Sequence, residues 1–172
     1  MKNYAKFLVL CVLLACFSTT ANAQSARKFS VGLTSGYGTS KYGSGFVIGG
    51  DLRYEFGKGN HWSVPVTIGF TSILNKATTY AGKKYKSDSY NYLPIRAGIK
   101  YSINKESFGY YGLAEIGVYN KLYIGGGETN LIYSPAIGYA FKNRLDVAVK
   151  YEGFWTGINW KGYEGVRVAY AF

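Results

Sequence analysis

The chain ends in Gly165-Val166-Arg167-Val168-Ala169-Tyr170-Ala171-Phe172. Val166, Val168, Tyr170 and Phe172 alternate with Gly165, Arg167, Ala169 and Ala171, the period-two pattern of a strand with one large apolar face. The same alternation runs back through the sequence. Leu145, Val147, Val149 and Tyr151 oppose Asp146, Ala148, Lys150 and Glu152, while Leu93, Ile95, Ala97, Ile99 and Tyr101 oppose Pro94, Arg96, Gly98, Lys100 and Ser102. Phe46, Ile48, Leu52, Tyr54 and Phe56 likewise oppose Val47, Gly49, Asp51, Arg53 and Glu55. Eight such runs are predicted, over about 28–38, 45–56, 61–72, 90–102, 107–119, 130–141, 145–154 and 162–172. Each is long enough for a tilted membrane strand of roughly 9–11 residues, and an even number suits a closed antiparallel barrel.

Composition agrees with this pattern. The 172 residues allow one domain, with 23 Gly, 18 Tyr, 10 Phe and 18% aromatics against only 17% charged residues. Such a chain is too aromatic for disorder and too rich in Gly and Tyr for a helical bundle. Its N-terminus carries Lys2 and Lys6, then the short apolar core Phe7 to Phe17, then Ala21-Asn22-Ala23. That order reads as a secretory signal peptide over 1–23, with the barrel domain over 24–172. Leu13-Leu14-Ala15-Cys16 offers a competing lipoprotein-type site, in which Cys16 would be lipidated. Cleavage after Ala23 removes Cys11 and Cys16, so no disulfide, thiol nucleophile, cofactor or metal site is expected. It also removes two lysines, taking the formal charge from +11 to +9.

The connections give the barrel an orientation. Gly57-Lys58-Gly59-Asn60, Asn104-Lys105-Glu106 and Lys142-Asn143-Arg144 are brief and polar, whereas those after the first, third, fifth and seventh strands are longer, the longest being Ile73 to Ser89. Short periplasmic turns opposite longer extracellular loops characterise an outer-membrane barrel.

Side-chain size decides which face meets lipid. One face carries Phe, Tyr, Val, Ile and Leu; the other carries Gly, Ala, Ser, Thr and charges, which suits the narrow interior of an eight-stranded barrel filled by side chains. Alternation points Asp51, Glu55, Glu115, Asp146 and Glu152 inward, together with Arg53, Arg96, Lys100, Lys150 and Arg167. Five acids meet five bases. Charges removed from water must be paired, so these ten are expected to form structural ion pairs in a plugged lumen. The excess positive charge then falls on the rims. Lys83, Lys84 and Lys86 form its densest cluster, a candidate contact for lipopolysaccharide phosphates. Trp155, Trp160 and Tyr163 at one end, and Trp62, Tyr54, Phe56, Phe108, Tyr110 and Phe141 at the other, are expected to form two interfacial belts. Export and the absence of a nucleic-acid fold exclude nucleic acid as a partner.

Across the mature chain the sequence resembles the small outer-membrane β-barrel family, the eight-stranded OmpX, OmpA-barrel and opacity-protein type. The final strand carries the resemblance, together with Leu93-Pro94-Ile95-Arg96-Ala97-Gly98-Ile99-Lys100-Tyr101 and Ala148-Val149-Lys150-Tyr151-Glu152-Gly153. It implies residence in the outer membrane of a Gram-negative bacterium and an assembly signal at Tyr170 and Phe172, read by the barrel-assembly machinery. A monomer is expected. Two roles follow: a structural or adhesin-like surface barrel, or a porin-like channel for small solutes. A remote third is a lipid A-modifying enzyme, for which His61-Trp62-Ser63 supplies a His-x-Ser spacing. Alternation puts Trp62 outward and the two polar residues inward, at a periplasmic turn, and Ser/His chemistry also needs an orienting acid within hydrogen-bond reach, so a non-enzyme is expected. Pro65, Pro94 and Pro135 fall inside predicted strands, where each removes a ladder donor. Bulges would accommodate Pro94 and Pro135, and Pro65 has no evident place.

Overall fold

A computed structural model describes residues 29–40, 43–57, 61–75, 78–80, 83–85, 89–105, 108–122, 129–155, 157 and 159–172. The predicted signal peptide, Cys11, Cys16 and Lys86 lie outside the described residues. Eight long strands are present: β1 (Phe29–Ser40), β2 (Gly43–Phe56), β3 (Trp62–Asn75), β6 (Tyr90–Ser102), β7 (Gly109–Lys121), β8 (Thr129–Ala140), β9 (Leu145–Trp155) and β10 (Trp160–Ala171). They close into one antiparallel barrel in the order β1-β10-β9-β8-β7-β6-β3-β2, with β2 back on β1. Closure leaves no sheet edge, which a membrane requires of a strand protein. The remaining two strands, β4 (Thr78–Tyr80) and β5 (Lys83–Tyr85), pair only with each other in a small hairpin between β3 and β6. That hairpin marks one end of the barrel, the hairpin end. Phe172 marks the other, the terminal end, where its N–H donates to the carbonyl of Phe29 at 2.8 Å.

All eight expected strands are found, but the sequence reading misses the β4–β5 hairpin and overstates two loops. β9 ends at Trp155 and β10 begins at Trp160, a connection no longer than that between β8 and β9. β1 and β2 run on until Ser40 faces Gly43, with only residues 41–42 between them. Small residues on both sides, Gly38 against Gly45 and Thr39 against Ser44, let the pairing continue where apolar alternation has stopped. The long connections at the hairpin end are therefore 76–89 and 123–128.

Each of the three prolines coincides with a gap in the ladder. Pairing of β3 with β6 is interrupted at 64–65 and again at 69–70, with the same register on either side. That register sets Pro65 opposite Gly98 and Pro94 opposite Gly69. The β8–β9 ladder is interrupted at 134–135, again without a register change, opposite Tyr151. Missing N–H donors open these seams locally, and the bulges expected at Pro94 and Pro135 are not formed.

The outer surface is apolar: Leu33, Ile116, Ile137 and Val149 are each more than 60% exposed. At the terminal end the aromatic belt has ring contacts around the barrel, including Phe29–Phe172, Tyr54–Phe56, Trp62–Tyr101 and Tyr110–Tyr139. At the hairpin end, outward ring-to-ring contacts among the described residues are confined to β8, β9 and β10, where Trp160 meets Tyr133 and Trp155. Tyr163, expected in that belt, is instead buried inside the barrel, because it shares alternation with Gly165 and Arg167.

Candidate functional site in the barrel lumen

Inward-facing residues fill the barrel in layers. The ten charged positions singled out from the sequence all lie in the lumen, nine of them buried and Glu55 half-buried at the terminal end. Their partners fall into three groups.

The central group is built on β2, β3, β6, β7 and β9. Arg53 donates to Glu115 Oε2 at 3.4 Å and, through Nε, to Thr67 Oγ1 at 3.1 Å. Thr67 in turn donates to Glu115 Oε1 at 2.6 Å. Arg96 lies between two carboxylates, pairing with Glu152 through Nη1 and placing Nε 3.8 Å from Glu115. Glu152 also accepts from Lys150 at 2.6 Å and from Tyr92 at 2.7 Å. It is completely buried, so three donors from two strands, β6 and its own β9, compensate its desolvation.

The second group ties β10 to β1, β2 and β9. Arg167 holds Asp51 through Nε at 3.0 Å to both oxygens and through Nη2 at 2.6 Å, a forked geometry that lysine cannot supply. It reaches Ser30 and Asp146 at 3.4 Å each, and Tyr111 donates to Asp146 at 2.7 Å. The guanidinium lies over the backbone of β1 at Gly32, where an added Cβ would come within 2.6 Å of it. A larger residue there would have to displace the guanidinium from its place beside Asp51, so glycine makes room for the ion pair.

The third group sits at the terminal end. Lys100 donates to both oxygens of Glu55, at 2.8 and 3.1 Å, and lies 4.3 Å from the Tyr111 ring centre. Ser63 donates to Glu55 at 3.3 Å. His61 bonds through Nδ1 to the Ser102 carbonyl at 2.8 Å and stacks on Tyr101, and no hydrogen bond joins it to Ser63. Histidine and serine thus serve different neighbours.

Toward the hairpin end the lumen turns apolar. Val47, Ile73, Tyr92, Tyr119, Ile132, Phe154 and Tyr163 form one buried cluster. Tyr92, Tyr119 and Phe154 pack with ring centres 5.1 to 5.6 Å apart. The sequence reading gives Tyr and Phe to the lipid side and so misses this layer. The signal was present: Tyr92 shares alternation with Pro94 and Arg96, as Tyr111 and Tyr119 share it with Glu115. Between the aromatic and ionic layers a small polar cavity is lined by Thr34, Asp51, Thr71, Arg96, Lys150 and Tyr163, among others. Among the described residues no group of His, Cys, Asp and Glu has metal-site geometry.

Lys83 and Lys84 belong to β5, whose backbone pairs with β4, while Lys86 lies outside the described residues. Tyr170 and Phe172 project outward at the terminal end, with ring centres 5.1 Å apart.

A closed antiparallel barrel with an apolar exterior and an ionic interior is an inside-out arrangement suited to lipid. A family model for the outer membrane protein beta-barrel domain matches residues 8–172. The chain belongs to this family, and its place is the outer membrane. No curated protein matches it. Solved structures share the fold at low identity. The N-terminal β-barrel domain of Pseudomonas aeruginosa OprF is 12% identical with a TM-score of 0.58, the match covering 87% of this chain and 100% of that one. The outer membrane enzyme PagL is 13% identical with a TM-score of 0.61, covering 82% and 99%. Yersinia pestis Ail, solved in a phospholipid bilayer nanodisc, is 17% identical with a TM-score of 0.55, covering 83% and 99%. These neighbours have different functions, so the shared barrel speaks for fold alone.

Proposed function

We propose that this outer-membrane barrel is a plugged, non-enzymatic scaffold whose role is structural or lies in surface contact, made by the connections at its hairpin end. The supporting observation is the lumen, where an interlocked ionic network lies beneath a packed aromatic layer. A solute path would have to break both. The separate engagements of His61 and Ser63 argue against hydrolysis, since a nucleophilic serine needs the histidine beside it as base.

In this proposal the hairpin end faces outward and the terminal end faces the periplasm. The signal peptide is removed after Ala23, Tyr170 and Phe172 are read by the assembly machinery, and the barrel acts as a monomer. Lys83, Lys84 and Lys86 would then meet lipopolysaccharide phosphates by charge attraction. Replacing the three lysines by Gln and measuring lipopolysaccharide binding of the folded barrel tests the contact. Weaker and less salt-sensitive binding is expected; undiminished binding would remove these lysines from the proposal.

A further inference from the structure

Closing this barrel requires one pairing that no connection sets. Every other neighbouring pair is consecutive along the chain, β3 and β6 being separated by the β4–β5 hairpin alone, whereas β1 and β10 are the first and last strands. Turn geometry fixes register within a hairpin, and alternation forbids a slip of one residue. A slip of two keeps every side chain on its own face. On the outer face Leu33 pairs with Val168, and a two-residue slip would set it against Val166 or Tyr170, apolar in either case. Such a slip still changes the stagger of the closed sheet, and with it strand tilt and barrel width.

Inside, the facing residues are mostly small: Ser30, Gly32 and Gly36 on β1, Gly165, Ala169 and Ala171 on β10. Arg167 is the charged exception. It stands opposite Thr34 in the ladder, leans toward the terminal end, crosses β1 over Gly32 and forks onto Asp51. Asp51 is the ladder partner of Gly32 on β2, so one side chain joins three strands across the seam. Its Nη2 also lies 3.4 Å from Ser30 Oγ.

The crossing fits at Gly32, where no side chain stands between guanidinium and backbone. Both inward neighbours on β1, Ser30 and Thr34, carry one. A two-residue slip moves the Arg167 Cα by about 6.6 Å along β1. With the side chain leaning as it does, the guanidinium would then lie over Ser30 or Thr34, and the fork onto Asp51 would be broken.

We propose that the Arg167–Asp51 fork across Gly32 selects the β1–β10 register, and so the stagger at which the barrel closes. Arg167 is in this respect a positioning residue, whatever role the loops serve. Disulfide formation reads the register directly, because residues facing one another across a ladder have Cα atoms about 4.5–5.5 Å apart, within disulfide reach, and residues two out of step do not. The full chain with Cys11→Ala and Cys16→Ala carries one cysteine pair at a time. Leu33→Cys with Val168→Cys reports the register described above; Leu33→Cys with Val166→Cys and Ser35→Cys with Val168→Cys report the two slips. Protein is scored after it shows the heat-dependent gel shift of a folded barrel.

With Arg167 in place, the first pair should bridge and the other two should not. Arg167→Met should lower the ratio of in-register to slipped bridging at least about tenfold, since hydrogen bonds to a charged group are lost. Asp51→Asn keeps the side-chain volume and should shift the ratio in the same direction, which covers the case in which Arg167→Met does not fold. Folded protein of either variant that still bridges through the first pair alone would overturn the proposal. The register would then belong to the close approach of Gly36 and Gly165, where a Cβ added at Gly36 would come within 2.3 Å of the β10 backbone. Slipped bridging with Arg167 and Asp51 both present would overturn it as well.

Discussion

The aromatic layer at the hairpin end of the lumen and the ionic layer beneath it fill the same tube from the same strands, yet they should respond differently to change. Phe154 and Glu152 are neighbours on β9, both inward and both buried. Around Phe154 the contacts are ring packing, which degrades gradually as volume is lost. Around Glu152 the contacts are charge-assisted bonds from Tyr92, Arg96 and Lys150, and loss of the carboxylate strands two cations at once. A buried network is stable as a whole and fragile at each member.

Three substitutions grade that difference, each read as a change in urea unfolding of the barrel in vesicles. Glu152→Ala should cost most, about 3–5 kcal/mol, because Arg96 and Lys150 remain buried without it. A loss below 1 kcal/mol would mean that the two cations find water or a second carboxylate. Phe154→Leu keeps an apolar side chain of similar bulk, and a cost under about 1.5 kcal/mol is expected. Should it equal Glu152→Ala, the aromatic layer would be as exacting as the ionic one. Lys100→Met should be mildest, under about 1 kcal/mol, since Glu55 at the barrel mouth keeps 18% of its side-chain surface and its Ser63 bond. A large effect there would place the terminal mouth among the dry parts of the lumen.

The same comparison shows what sequence conveys. Arg167 and Asp51 are far apart in the chain, but strict alternation assigns each to a face, because a one-residue slip would turn every apolar side chain of the strand inward. Eight strands and their closure follow from that periodicity. Tyrosine escapes it: an amphipathic ring suits lipid, interface and lumen alike, so Tyr92, Tyr119 and Tyr163 carry no label of their own. Alternation also omits partners. Nothing in the spacing says that Glu152 serves Arg96 and Lys150 together, or that Thr67 joins Arg53 to Glu115, because those pairings depend on register between strands. Proline was misleading in a third way. Its missing donor marks the β3–β6 and β8–β9 seams, but only the paired register reveals that no bulge forms.

The central claim is a closed lumen, and single-channel recording on the folded barrel in planar bilayers tests it most directly. Protein that shows the heat-dependent gel shift of a folded barrel should give no reproducible unitary currents. Steady unitary conductance from that same material would contradict the plugged interior and favour a channel.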